Sequence, residues 1–156
     1  MKKPADLRAH IEAWMPDLKA NPDKLHMFIE DGRTVARMGK TLSFEYRYTL
    51  LIIVTDYAES TDALLVPILA WLSIHQPNLL LDERLRENII GFRAEPLDNS
   101  RIDIELKLEL SERVLVRATD GGGYECEHIG EPTMPDLTGP TGWEMFAGGQ
   151  NVTGTA

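Results

Sequence analysis

The sequence predicts an α+β fold: a mixed, mainly antiparallel sheet around a buried central helix, with an N-terminal helix and an extended C-terminal tail. Three stretches carry that prediction. Residues 43–57, SFEYRYTLLIIVTDY, are dominated by β-branched and aromatic residues, the composition of a strand. Residues 60–76, STDALLVPILAWLSIHQ, are apolar nearly all round, as a helix enclosed by its own domain would be. Residues 102–110 alternate strictly, Ile102, Ile104, Leu106, Leu108 and Leu110 against Asp103, Glu105, Lys107 and Glu109, which is a half-buried strand.

Taken in order, Pro4 to Trp14 forms the first helix, with proline in the first turn and Leu7, Ile11 and Trp14 at helical spacing. The narrow stripe places it on a surface, and Pro16 limits it. Asn21-Pro22-Asp23 marks a turn. Lys24–Glu30 and Arg33–Met38 then flank Asp31-Gly32, a dipeptide favoured in two-residue hairpin turns, so a β-hairpin is expected. Within the strand at 43–57, Phe44, Tyr46 and Tyr48 point one way and Ser43, Glu45, Arg47 and Thr49 the other, while Leu50–Val54 is apolar on both faces and should be covered on both. In the central helix Ser60 is the N-cap, Asp62 sits in the positive first turn, and Pro67 should kink it. Leu50, Ile52, Val54, Leu65, Leu69, Trp71 and Leu72 are the expected core. A short helix at 82–88, a strand at 89–95, a turn at Asp98-Asn99-Ser100 and strands at 102–110, 113–118 and 124–128 complete the domain. From Gly130 the chain is rich in Gly, Pro and Thr. The division is therefore one domain over 1–130 and a tail over 131–156. Such a tail frays unless held, so Met134, Leu137, Trp143, Met145 and Phe146 are candidate contacts with a neighbouring subunit.

The 156 residues, 43% hydrophobic, suit one core. A single cysteine, Cys126, allows no internal disulfide and points to folding in the cytoplasm. No apolar run nears the roughly 20 residues of a membrane span, and the N-terminus has no h-region of a secretion signal. A net charge of −9 argues against a nucleic-acid-binding groove, while suiting a surface that DNA passes without sticking. Chemistry is hard to find. His10, His26, His75 and His128 are scattered. Cys126 and His128 share a strand face, but no second pair of metal ligands accompanies them. Gly121-Gly122-Gly123 has no phosphate-binding frame and reads as a turn. Glu45 and Arg47 read as a surface ion pair, and Asp103, Glu105 and Glu109 as a solvated face instead of a calcium site. No catalytic residue, metal ligand or cofactor site is indicated.

LSFEYRYTLLIIVTDY with LLVPILAWLSIHQP is similar to the tail completion protein family, of the GpR or tail-terminator type, of contractile-tailed, peduovirus-like phages. KPADLR at the start, NPDKLHMFIEDG, IDIELKLELSERVLV and HIGEP at 128–132 extend the resemblance from Lys3 to Pro132. One departure is Ser60-Thr61, where an Asp-Pro helix start would be expected. The resemblance implies a structural virion protein, assembled in the host cytoplasm. It would cap the tail tube as a ring, hexameric by analogy, stop tube and sheath polymerisation, and offer the head–tail joining surface. Its partners would be copies of itself, the tube and sheath proteins and a head–tail connector, with DNA passing through and no membrane. The candidate subunit interface is Phe44, Glu45, Tyr46, Arg47, Tyr48, Trp143 and Phe146. Asp103, Glu105 and Glu109 are candidates for the lumen, against the plainer alternative of a solvated outer face partly neutralised by Lys107. A related neck connector or minor tail protein of the same fold, or a small-molecule binding module or enzyme, are the other classes compatible with the sequence.

Overall fold

The computed structural model describes residues 1–36 and 39–132, with the backbone alone of 146–147 and 150–151. Two helices, α1 (Lys3–Trp14) and α2 (Pro16–Ala20), lead through a 3-10 turn into strand β1 (Leu25–Ala36). Strand β2 (Phe44–Tyr57) and helix α3 (Thr61–His75) follow. After them come a short helix α4 (Asn78–Leu81) and strands β3 (Gly91–Pro96), β4 (Ile102–Ala118) and β5 (Tyr124–Ile129). The five strands form one antiparallel sheet in the order β1-β2-β4-β3, with β5 also on β4. Arg113 and Val114 pair with β2 on one side and with β5 on the other. β5 therefore shares an edge with β3, leaving residues 108–112 of β4 without a strand partner on that edge. Backbone 146–147 (β6) pairs with 150–151 (β7).

The sheet has a helix side and an open side, fixed by its period of two. Leu50, Ile52 and Val54 of β2 face the helices with Ile104, Leu106 and Leu108 of β4, and all six are buried. Against them lie Leu7 and Ile11 of α1, Leu18 of α2, and Leu64, Ile68, Trp71 and Leu72 of α3. The open side carries Thr49, Leu51 and Ile53 opposite Glu109, Lys107 and Glu105. Ser60 caps α3, its Oγ accepting the Asp62 amide at 3.3 Å. Pro67 is buried inside α3, and the His10 Nε2 of α1 lies 3.0 Å from its carbonyl oxygen.

Four expectations need correction. Asp31-Gly32 is not a hairpin turn. β1 runs through it, with Glu30 opposite Thr49 and Arg33 opposite Arg47, so two residues face Tyr48 alone, a β-bulge. A two-residue type I′ turn needs positive φ at both positions, whereas only Asp31 has it, at 50°. The 14-residue β2 offers partners to both halves at once, and that pairing replaces the local hairpin. Second, the strands expected at 102–110 and 113–118 are one 17-residue strand, because the inward alternation continues through Leu110, Glu112, Val114 and Val116. Third, α3 is not enclosed: Leu69 is 37% and Ile74 54% exposed, since the sheet covers one side and, among the described residues, α1 is the main element packed beside it. Leu65 is half-buried, whereas Trp71 and Leu72 are core as expected. Fourth, the polar segment 82–88 contains only a 3-10 turn, Arg86–Asn88. There the Asp82 carboxylate accepts the Arg84 amide and guanidinium, bonds that hold its pKa down at about 2.

The distinction between the two sides of α3 is measurable. Trp71→Ala should lower unfolding free energy by about 3–5 kcal/mol through lost burial and a cavity, whereas Leu69→Ala should cost less than about 1 kcal/mol. Urea denaturation of the two variants separates them, and equal losses would place Leu69 in the core after all.

Candidate assembly surface

Helix α1 begins without a capping side chain of its own, since Lys2 at the N-cap makes no such bond. The first amides of a helix are unsatisfied donors at a positive dipole end, and here a carboxylate from the sheet meets them. Glu112 of β4 accepts the Lys2 amide at 2.7 Å and the Lys3 amide at 3.3 Å. The Tyr48 hydroxyl donates to its Oε1 at 2.6 Å, and His128 Nδ1 of β5 stands 3.0 Å from its Oε2. Burial alone would push the Glu112 carboxyl up, but the Tyr48 hydroxyl and the two amides outweigh it and hold its pKa below 4.5. Burial, with the adjoining carboxylate, pushes the Tyr48 phenol far up.

A second ring of contacts surrounds this knot. The Lys3 ammonium donates to the His75 carbonyl, to Gln76 Oε1 at 2.7 Å, and to Glu131 Oε1 at 3.4 Å. Burial pushes its pKa down, and the nearby Glu131 works against that. Gln76, only 2% exposed, fills the gap in the β4 edge: its Oε1 accepts the Ser111 amide at 3.2 Å and its Nε2 donates to Ser111 Oγ at 3.1 Å. Trp71 Nε1 donates to Asp6 Oδ2 at 2.8 Å, and His75 stacks on the Trp71 indole at 4.5 Å between centroids. Lys3, Asp6, His75, Glu112, His128 and Glu131 border a cleft of about 180 Å³. Lys3 pairs with Glu131, and Glu112 is held by donors from α1, β2 and β5, so the cluster ties α1, α3 and β5 together, and it is not arranged as a nucleophile–base pair. Among the described residues no group of three or more His, Cys, Asp or Glu is placed to hold a metal ion. Cys126 is a free, exposed thiol.

The predicted interface residues divide. Phe44 and Tyr46 lie on the helix side of the sheet, Tyr46 packed against the edge of the core. They are half-buried, in edge-to-face contact at 4.9 Å. Glu45 and Arg47 are on the open side and form the expected ion pair at 2.9 Å. Tyr48 does not belong with them: it is 2% exposed and its hydroxyl is spent on Glu112, because the helix layer already covers that position. Trp143 lies outside the described residues, as do Met134, Leu137 and Met145, and of Phe146 only the backbone is described. The three candidate lumen acids sit on the open side. Asp103 accepts the Asp56 amide at 2.9 Å, Glu109 accepts the Thr49 hydroxyl at 2.7 Å, and Glu105 is half-exposed opposite Arg93. The same face continues into Arg33, Arg47, Arg113 and Arg117, so its charge changes sign along the strands.

The family model for P2 phage tail completion protein R (GpR) matches residues 1–132. The chain belongs to that tail completion family. It is also 37% identical over 154 residues to tail completion protein R of Escherichia phage P2, covering 98% of this chain and 97% of the relative. No solved structure matches. A member of the tail completion family is a structural component of a phage tail and not an enzyme, which accords with a polar cluster that holds elements together. KPADLR and HIGEP, more than a hundred residues apart, meet at Glu112 through Lys3 and His128. Sequence reasoning missed Glu112, though a signal existed: it is the one acid at an inward position of an otherwise apolar alternation.

The sign of the pH dependence follows from the lowered pKa of Glu112. The unfolded chain binds this proton more readily, so the carboxylate contributes stability that is complete above about pH 4.5 and lost as pH falls through the folded value. Glu112→Gln should cost on the order of 2 kcal/mol at pH 7, and the gap from the unsubstituted protein should shrink on acidification below pH 4.5. Urea midpoints across pH 3 to 7 test this, a constant gap being the contrary result.

Proposed function

We propose that this chain caps the head-proximal end of the finished phage tail as a closed ring of identical subunits, six-fold by analogy with tail terminators. There it ends polymerisation of tube and sheath and presents the surface to which a head–tail connector binds. The match to the tail completion family along the folded domain carries this proposal. The geometry supports it. A closed ring uses head-to-tail contacts between two unlike faces, and this sheet has unlike edges: β1 on one side and the interrupted β3/β5 edge on the other. Phe44, Glu45, Tyr46 and Arg47 lie at the start of β2, and with Trp143 and Phe146 of the tail they form the proposed contact between neighbours. Residues 1–130 are then the ring body and 131–156 an arm.

Asp103, Glu105 and Glu109 line the lumen in this arrangement, where carboxylates repel passing phosphate, and the arginine half of the same face turns to a neighbour. The tube and sheath proteins bind one face of the ring, and the whole assembles in the host cytoplasm before joining the virion.

Native mass measurement of the purified protein should give a ring, and images of tails should show it at one end. Arg47→Glu with Tyr46→Ala should leave folding intact, weaken the ring at least tenfold and broaden the distribution of tail lengths. A protein that stays monomeric at high concentration and is absent from tails refutes the cap. Glu105→Lys with Glu109→Lys should hinder DNA delivery while the ring still forms; unchanged infectivity would put these acids on an outer wall.

A further inference from the structure

Three large apolar side chains stand exposed on the two rims of the sheet: Phe92 of β3 at 68%, and Phe28 and Ile29 of β1 at 51% and 43%. A rim strand is a template for another strand, and the direction of its free amides and carbonyls decides what it accepts. Two bonds fix that direction. The Ser111 amide points to the β3/β5 edge, where Gln76 Oε1 accepts it, and the Val116 amide points to the β2 side, where Ser43 Oγ accepts it. Odd residues of β4 therefore bond toward β3 and even residues toward β2. Carried through the pairing, Gly91, Arg93 and Glu95 bond inward to β4, so the backbone groups of Phe92, Ala94 and Pro96 face outward. On the far rim His26, Phe28 and Glu30 bond inward to β2, so those of Leu25, Met27 and Ile29 face outward.

The two rims match. β3 has six residues, and the bulge of β1 leaves a first run of the same length, Leu25–Glu30. β1 runs parallel to β4 and β3 antiparallel to it, so a copy added edge to edge without inversion brings its β1 antiparallel to β3. In such a ladder outward residues must meet outward residues. Setting Phe92 opposite Ile29 puts Ala94 opposite Met27 and Pro96 opposite Leu25, and the missing N–H of Pro96 falls at the end of the ladder. The same register sets Arg93 opposite Phe28 and Glu95 opposite His26 on the open side, a cation against an aromatic ring and an acid beside an imidazole. A shift by two in one direction brings Phe92 to Asp31 in the bulge, where φ is 50°. A shift in the other sets Arg93 against His26, and Phe28 against Gly91, which has no side chain to cover it.

We propose that β3 of one subunit pairs antiparallel with Leu25–Glu30 of the neighbouring subunit's β1, Phe92 opposite Ile29 and Arg93 opposite Phe28, so that the sheet runs on from subunit to subunit. This rests on the ring proposed above and adds the ladder that joins its members. Each subunit has one edge of each kind, so a closed ring leaves neither open.

The test is disulfide trapping in a Cys126→Ser chain that carries both Phe28→Cys and Arg93→Cys. A non-hydrogen-bonded antiparallel pair brings its Cα atoms to about 4.5 Å, within disulfide reach. Within one subunit the two positions lie three strand spacings apart, about 14 Å, so only neighbours can be bridged. The control carries Ile29→Cys in place of Phe28→Cys and presents its thiol on the other side of the sheet. Oxidation of the assembled protein should give a ladder of covalent oligomers at least tenfold above the control, and native mass before oxidation reports the ring independently. Separately, Ala94→Pro removes an outward N–H while keeping the ladder to β4, and should weaken the ring at least tenfold with the far-ultraviolet circular dichroism unchanged. A ring with no covalent ladder, a ladder equal to the control's, dimers from Arg93→Cys alone or an undiminished Ala94→Pro ring overturns the edge pairing and leaves the ring standing. Absence of any ring at high concentration overturns both.

Discussion

Burial of one carboxylate, Glu112, sets the arrangement of everything around it. It is 4% exposed, and an ionised group so enclosed is costly unless each lone pair finds a donor. The donors come from three places in the chain: two amides at the start of α1, a phenol on β2 and an imidazole on β5. None of the three could shift without leaving charge unsatisfied. Helix α1 has a weak intrinsic start and a narrow apolar stripe, yet its end is pinned to the sheet at a fixed point. Leu7 and Ile11 fall onto α3 as a consequence. Among the described residues no buried side-chain nitrogen or oxygen lacks a partner, so the polar cluster adds specificity with no orphaned group to offset.

Much of the fold was legible because period and capping are local. The alternation of Ile102–Leu110, the Ser60 cap and the apolar run of α3 each need only their own neighbours in sequence. Failures occurred where a long partner overruled a local signal. Asp31-Gly32 has hairpin chemistry, but β2 extends past it and captures both sides. The inward series of β4 crosses Ser111 and Glu112, which look like an interruption until Glu112 is seen to be inside. Helix α3 looked enclosed because hydrophobicity reports how much apolar surface exists and not what covers it. The same limit applied to the candidate site. Tyr48 belongs to an alternating aromatic series with Phe44 and Tyr46, and only the extent of the helix layer separates it from them.

The division of labour within the molecule is consistent with a building block. The buried polar groups are few, Thr49, Gln76 and Glu112, and each is bonded, while the outward features are exposed apolar positions on α3, two sheet edges and an open face whose charge reverses along its length. An enzyme concentrates unsatisfied or strained groups in a cleft. Here the groups of the cleft beside Lys3 and Glu131 are bonded into the fold, and the unspent surface lies on faces that other proteins can cover.

The bulge at Asp31-Gly32 bears on how such a chain stays soluble before it is used. β1 is a 12-residue strand at the rim of the sheet, long enough to template a stack of copies. The bulge divides its outward row of amides and carbonyls into runs of six and four paired positions, Leu25–Glu30 and Arg33–Ala36, and turns the second run about the strand axis. A stray strand could match one run but not both in a single register. The kink thus works as a safeguard against open-ended fibre growth, confining lateral addition to partners shaped for it.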